Sequence, residues 1–168
     1  PHALFDLTGR TALVTGASRG LVGHHFGGKD GLLAACYAAA YAPLLQELAP
    51  QDPPSLAVLI DELLSDRQFR REGLNIWLAL WGEIAVNPVL QAEHLRHYRT
   101  YRAALAQAMA RHFGRATPDA TDDTLATALI ALLDGIWLES SIAPGEMGPD
   151  RARAAVDLLL KGAGLHIR

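Results

Sequence analysis

Trp77 and Trp81 stand four residues apart, and a carboxylate, Glu83, follows close behind. On a helix that spacing puts both indoles on one face. Tyr98 and Tyr101 come next along the chain. Aromatic faces beside a carboxylate can hold an organic cation, the rings through cation–π attraction and the acid through its charge. The same spacing also serves an ordinary packed core, and the residues alone leave both readings open.

A second set is Glu93, His94 and His97, an H-x-x-H spacing. A metal needs a third and usually a fourth ligand. None stands nearby, and Arg96, Arg99 and Arg102 surround the histidines. The segment reads as a solvated face, and no metal or other cofactor is assigned. No nucleophile is placed beside a base, so no catalytic residue is assigned either. Cys36 is the one cysteine, set among alanines. It reads as a small core residue, excludes an intramolecular disulfide, and fits a reducing cytoplasm.

The elements that must position these residues are helices. The chain has 168 residues, half of them hydrophobic and a fifth charged, enough to bury a core in one domain or one module. A net charge of −3 excludes a broad basic coat but leaves room for a small DNA-binding patch. Residues 1–10 contain Asp6 and lack a long apolar run, so no signal peptide is expected. No stretch offers the ~20 uninterrupted apolar residues of a membrane span. Helices are expected over 29–48, 55–66, 67–87, 88–113, about 121–141 and 149–161, separated by proline and glycine breakers. Thr121 or Asp122 is the expected cap of the fifth of these. TALVT, 11–15, is the one strand signal, and a parallel sheet needs strands that recur.

The stretch RTALVTGASRGLVGHHFGGK, 10–29, resembles two families at once. FDLTGRTALVTGASRG, 5–20, resembles the opening of the short-chain dehydrogenases, where a strand ends in a glycine-rich turn that binds a dinucleotide pyrophosphate. Thr15, Gly16 and Gly20 fit that turn, but Val22 stands where its third glycine belongs. The family's Tyr-x-x-x-Lys is absent: the only lysines are Lys29 and Lys161, and neither lies four residues after Tyr37, Tyr41, Tyr98 or Tyr101.

The second half resembles the TetR family of transcriptional regulators. Ser18 to His24 match its recognition helix, His25-Phe26 its aromatic pair, and Lys29 the lysine that opens the connector helix. The resemblance implies DNA contacts from Ser18, Arg19, Gly20, His24, His25 and Lys29, with Phe26 as an anchor. It continues through 75–105 and 128–142, which resemble the BetI-like branch, whose members respond to choline or related metabolites. There LLDGIWL, 132–138, matches a characteristic segment.

The implied protein is an all-α, TetR-type repressor that acts as a cytoplasmic homodimer on palindromic operator DNA and answers to a small-molecule effector, without a membrane. Trp77, Trp81, Glu83, Tyr98 and Tyr101 are the expected effector residues. Leu133, Asp134, Gly135, Trp137 and Leu138 are the expected dimer interface. The expected organisation is a dehydrogenase-like, strand-like leader over 1–15, a remnant of a helix-turn-helix over 16–31 and a ligand-binding, dimerising helical domain over 32–168. Residues 1–15 are too few for the two helices that precede a recognition helix, so an incomplete head is expected. Two alternatives stand beside the repressor: a sensor and dimerisation module that does not bind DNA, and a fragment of an NAD(P)-dependent short-chain dehydrogenase.

Overall fold

The computed structural model describes residues 19–47 and 54–166. The expected strand at 11–15 and Ser18 lie outside the described residues, which form seven helices and no strand. These are α1 (Arg19–Phe26), α2 (Lys29–Glu47), α3 (Leu56–Leu63), α4 (Arg71–Ile84), α5 (Pro88–His112), α6 (Ala120–Ile142) and α7 (Pro149–Gly162).

Local chemistry sets most of these boundaries. Ser55 caps α3 through a hydrogen bond from the Val58 amide. Asn87 caps α5, its Oδ1 accepting from the Val89 and Leu90 amides, and Pro88 fills the first helical position, where a missing N–H costs nothing. α6 differs from expectation. Its cap is Asp119, while Asp122 sits three residues in and bonds back to the Asp119 amide. The pair forms a reciprocal capping box, so the helix starts ahead of the residues expected to cap it. Asp122 is almost wholly buried and takes a 2.6 Å hydrogen bond from Arg115.

The core runs along α5 and α6, the two longest helices. Leu90, Leu105 and Met109 of α5 are fully buried, as are Leu129 and Leu133 of α6. α3 adds Leu59, Ile60 and Leu63, and α7 adds Val156 and Leu160. Each such side chain contributes on the order of 1.5–3 kcal/mol on leaving water. By length and mean hydropathy α6 passes the threshold for a membrane span even though Asp122, Asp123 and Asp134 interrupt it. Packed between α5, α4 and α7, it reads here as a core helix.

α2 joins this body to α1. It packs on α5 along one side and on α1 at its start. Gly27 and Gly28, at φ of 71° and 136°, turn the chain between α1 and α2 in a region closed to most side chains. Gly31 has a different reason: a Cβ there would stand 1.8 Å from the Phe26 carbonyl oxygen. Only glycine lets the end of α1 lie that close to the first turn of α2.

Candidate functional site

The aromatic cluster forms where α2, α4 and α5 meet, and α2 supplies its centre. Tyr37 is fully buried, and Tyr41, one turn later, nearly so. Trp77 of α4 stands edge-on to both, at 6.0 Å and 88° from Tyr37 and 5.1 Å and 85° from Tyr41. Tyr41 stacks on His97 at 5.1 Å and 18°. Tyr37 Oη lies 2.7 Å from His94 Nδ1, a hydrogen bond that ties α2 to α5. Burial pushes the Tyr37 hydroxyl far above its ordinary range and the Tyr41 hydroxyl up to about 12, so both stay neutral donors.

The expected effector residues are divided by this arrangement. Trp77 and Trp81 do share a face, with ring centroids 6.4 Å apart. Tyr98 lies beside His94 at 5.7 Å, with the Arg102 guanidinium over its ring. Tyr101 is fully buried, and its hydroxyl has no partner. Glu83 faces away from the rings: its Oε2 lies 3.5 Å from Lys29 Nζ on the surface.

A different carboxylate, part-buried on α6, lies within electrostatic range of the cluster. Asp134 of α6 perturbs Tyr37, Tyr41 and Tyr101 through space. Among the described residues it makes no hydrogen bond or ion pair. Burial raises its carboxyl to about 6. Tyr37 and Tyr41 are not among the residues expected from sequence, though the spacing in YAAAY puts both on one helix face; Asp134 is one of the expected interface residues.

The histidine segment departs from the solvated face expected of it. His97 is only 5% exposed, and its Nε2 lies 2.9 Å from Glu93 Oε1. Arg96 also bonds Glu93 and, with His97, holds its carboxyl below the usual range. His94 is half-buried, and burial, with His97 nearby, lowers its pKa. An amphipathic pattern seen from sequence could not show that α2 would cover this face. Among the described residues no group of His, Cys, Asp and Glu has metal-ligand geometry. An open groove of about 630 Å³ runs along the α2–α5 seam, from Ala34 to Pro88, Val89, Ala92, Glu93 and Arg96. It lies just outside the ring cluster, with Glu93 on its rim.

The expected DNA-facing residues lie on α1 and the start of α2. Gly20, His24, His25 and Lys29 are exposed, and Arg19 opens α1. Phe26 is half-buried against α2. The expected interface residues divide too. Leu133 and Trp137 turn into the chain's own core, while Gly135 and Leu138 face out. With Ala128, Ala131 and Ile142 these form an exposed apolar stripe along α6.

Residues 53–163 match the profile of the C-terminal domain of BetI-type transcriptional repressors, named TetR_C_6. The HTH-type transcriptional regulator BetI of Stenotrophomonas maltophilia is 30% identical over 89% of this chain and 80% of its own length. BetI of Burkholderia cenocepacia is 34% identical over 84% of this chain and 73% of its own. A crystal structure from Pseudomonas aeruginosa PAO1, of a protein proposed to regulate transcription, superposes with a TM-score of 0.71 at 28% identity, over 86% of this chain and 73% of that one. These relatives are regulators, and none of them supports the dehydrogenase resemblance of the first twenty residues.

Proposed function

The chain belongs to the BetI-type transcriptional regulators of the TetR family, a family of regulators rather than enzymes, and from that premise we propose that its ring cluster binds a small organic cation of the choline kind. The observation that carries this reading is the ring cluster itself, with the Trp77 indole edge-on to Tyr37 and Tyr41 and the Asp134 carboxylate of α6, which makes no hydrogen bond or ion pair among the described residues, within electrostatic range of both tyrosines. Aromatic faces and one part-buried acid suit a cation that cannot be served by hydrogen bonds alone. The site replaces Glu83 with Asp134 and adds two tyrosines from α2. Trp81 and Tyr98 remain as outer walls.

The same two tyrosines carry the signal. α2 follows α1 across the Gly27–Gly28 turn, so a ligand that moves Tyr37 and Tyr41 shifts Lys29 at the start of α2 and the helix that presents Arg19, Gly20, His24 and His25 to an operator. A short helix of this kind fits a major groove, with Lys29 beside a phosphate. Effector and operator then bind at each other's expense through the connector.

Two copies are needed for a palindrome. The exposed stripe Ala128, Ala131, Gly135, Leu138 and Ile142 on α6, together with Leu158 on α7, supports a two-fold interface of small and apolar residues. Such a dimer works on DNA in the cytoplasm.

Tryptophan emission tests the effector reading. Choline chloride is expected to change it saturably in the wild-type chain, and Trp77→Leu is expected to weaken binding at least tenfold. Emission unchanged up to millimolar choline refutes the reading.

A further inference from the structure

We propose that Asn87 is a positioning residue for the operator-binding helix: its side-chain amide, bonded to Asp30, fixes α1 against the α4–α5 corner and is the pivot about which α2 turns. This rests on the reading of α1 as the helix that meets DNA. Asn87 works in two directions. Its Oδ1 accepts from the Val89 and Leu90 amides at 3.0 and 3.3 Å and so starts α5. Its Nδ2 donates to Oδ1 of Asp30, in the first turn of α2, at 2.8 Å. A capping side chain is held in place by the helix it opens, so the donor on its other side is a fixed point.

A second contact shows how the two helices lie. Tyr37 Oη and His94 Nδ1 are 2.7 Å apart, and both contacts join residues 57 positions apart. Two turns of α2 therefore run parallel to two turns of α5, tied at each end. Between the ties lies the open groove of about 630 Å³, with Ala34 on one side and Pro88, Val89 and Ala92 on the other. The groove separates the side chains there, so the polar ties set the register of this stretch. Asp30 is followed by Gly31, where a Cβ would meet the Phe26 carbonyl oxygen at the end of α1. α1 is thus seated directly on the tied turn. Tyr37 and Tyr41 lie about 10–16 Å along α2 from Asp30. When an effector displaces Tyr37, the tie to His94 goes and the tie to Asn87 stays. α2 then turns about Asn87, and α1, on the far side of the pivot, swings. The neighbouring Lys29–Glu83 pair is longer, at 3.5 Å, and its cation is the one offered to a phosphate. The Asn87–Asp30 bond uses no group that DNA needs.

Two variants of unchanged net charge test this. Asn87→Ser keeps a capping oxygen but is too short to reach Asp30. Asp30→Asn combined with Asn87→Asp exchanges donor and acceptor and restores the bond. The readouts are hydrogen exchange of the free chain, and anisotropy of a labelled palindromic fragment from the gene's own upstream region with and without choline chloride. In Asn87→Ser, exchange is expected to speed up in α1 and the first turn of α2 but not at the start of α5. Operator affinity is expected to fall about fivefold, because a loosened helix must be ordered on binding. The effect of choline on operator affinity is expected to shrink. The exchanged pair is expected to return all three towards wild type. Wild-type exchange in α1 of Asn87→Ser, faster exchange confined to α5, or an exchanged pair that behaves like Asn87→Ser refutes the pivot. No operator binding by the wild-type chain refutes the reading of α1 instead, and exchange alone then decides the pivot.

Discussion

Lys29 of α2 and Glu83 of α4 meet as an ion pair, 3.5 Å from Nζ to Oε2, on the surface where the start of α2 meets the end of α4. From sequence alone the first is expected at DNA and the second at an effector. Next to them Asn87 Nδ2 donates to Asp30 Oδ1 at 2.8 Å, so the first turn of α2 is pinned twice to the α4–α5 corner. α4 also carries Trp77, which links this corner to the rings.

An exposed pair of this kind is worth about 0.2–1 kcal/mol, so Glu83→Gln leaves thermal stability nearly unchanged. It frees Lys29 and removes a negative charge beside DNA. Operator affinity is expected to rise about two- to fivefold at low salt, and the gain to shrink as salt is raised. Anisotropy titrations of both chains at several salt concentrations check this; weaker binding by the variant contradicts it.

Asp134→Asn separates stability from function. The folded chain holds the Asp134 proton up to about pH 6, while an unfolded Asp loses it near 3.8. The native state therefore binds more protons between those values, and stability falls as pH rises through that window. A shift of about two units corresponds to about 3 kcal/mol as an upper bound. The variant is expected to be more stable than wild type at neutral pH, by about 1–3 kcal/mol, and equal to it below about pH 4. Urea unfolding at both pH values measures the difference, and a variant less stable at neutral pH argues against a carboxylate without partners.

Gly31→Ala attacks the junction of α1 with α2. The new methyl meets the Phe26 backbone carbonyl at 1.8 Å, and no flexible side chain can yield. α1 must shift. Operator affinity is expected to fall at least about tenfold, or 1.4 kcal/mol, with choline binding intact. Hydrogen exchange is expected to speed up in α1 and not in α5. Unchanged exchange in α1 contradicts the tight contact.

Leu158→Glu tests the two-fold interface. Leu158 is 74% exposed in the single chain, beside the apolar stripe of α6. Sedimentation velocity is expected to show a wild-type dimer and a variant shifted to monomer, since a buried unpaired charge costs several kcal/mol at an interface. A wild-type monomer, or a variant dimer of undiminished affinity, removes α7 from the interface.

The helices were legible because their punctuation is local. Asn87-Pro88, Gly114 and Gly148-Pro149 stop or start the chain wherever they stand, and α5 and α7 fall within a residue of the spans they predict. The Trp77–Trp81 face was legible for the same reason. Partnerships across helices were not. Nothing local in YAAAY says that Tyr37 reaches His94, 57 residues on, or that α2 buries His97. The segment around Asp134 shows a related limit. Its neighbours Leu133 and Trp137 point into the core of the same chain, so the segment that resembles an interface also lines the inside. At the cap of α6 the error was smaller: both Asp119 and Asp122 belong to the box, and three residues separate the donor's partner from the cap itself.

The most direct test of effector-controlled repression is fluorescence anisotropy of a labelled palindromic fragment from the gene's own upstream region, titrated with the protein with and without choline chloride. Binding that is sequence-selective and salt-dependent, and that choline weakens in wild type but not in Trp77→Leu, is the expected result. Operator binding indifferent to choline, from a chain that binds choline, contradicts the account that Tyr37 and Tyr41 couple the ring site to α1.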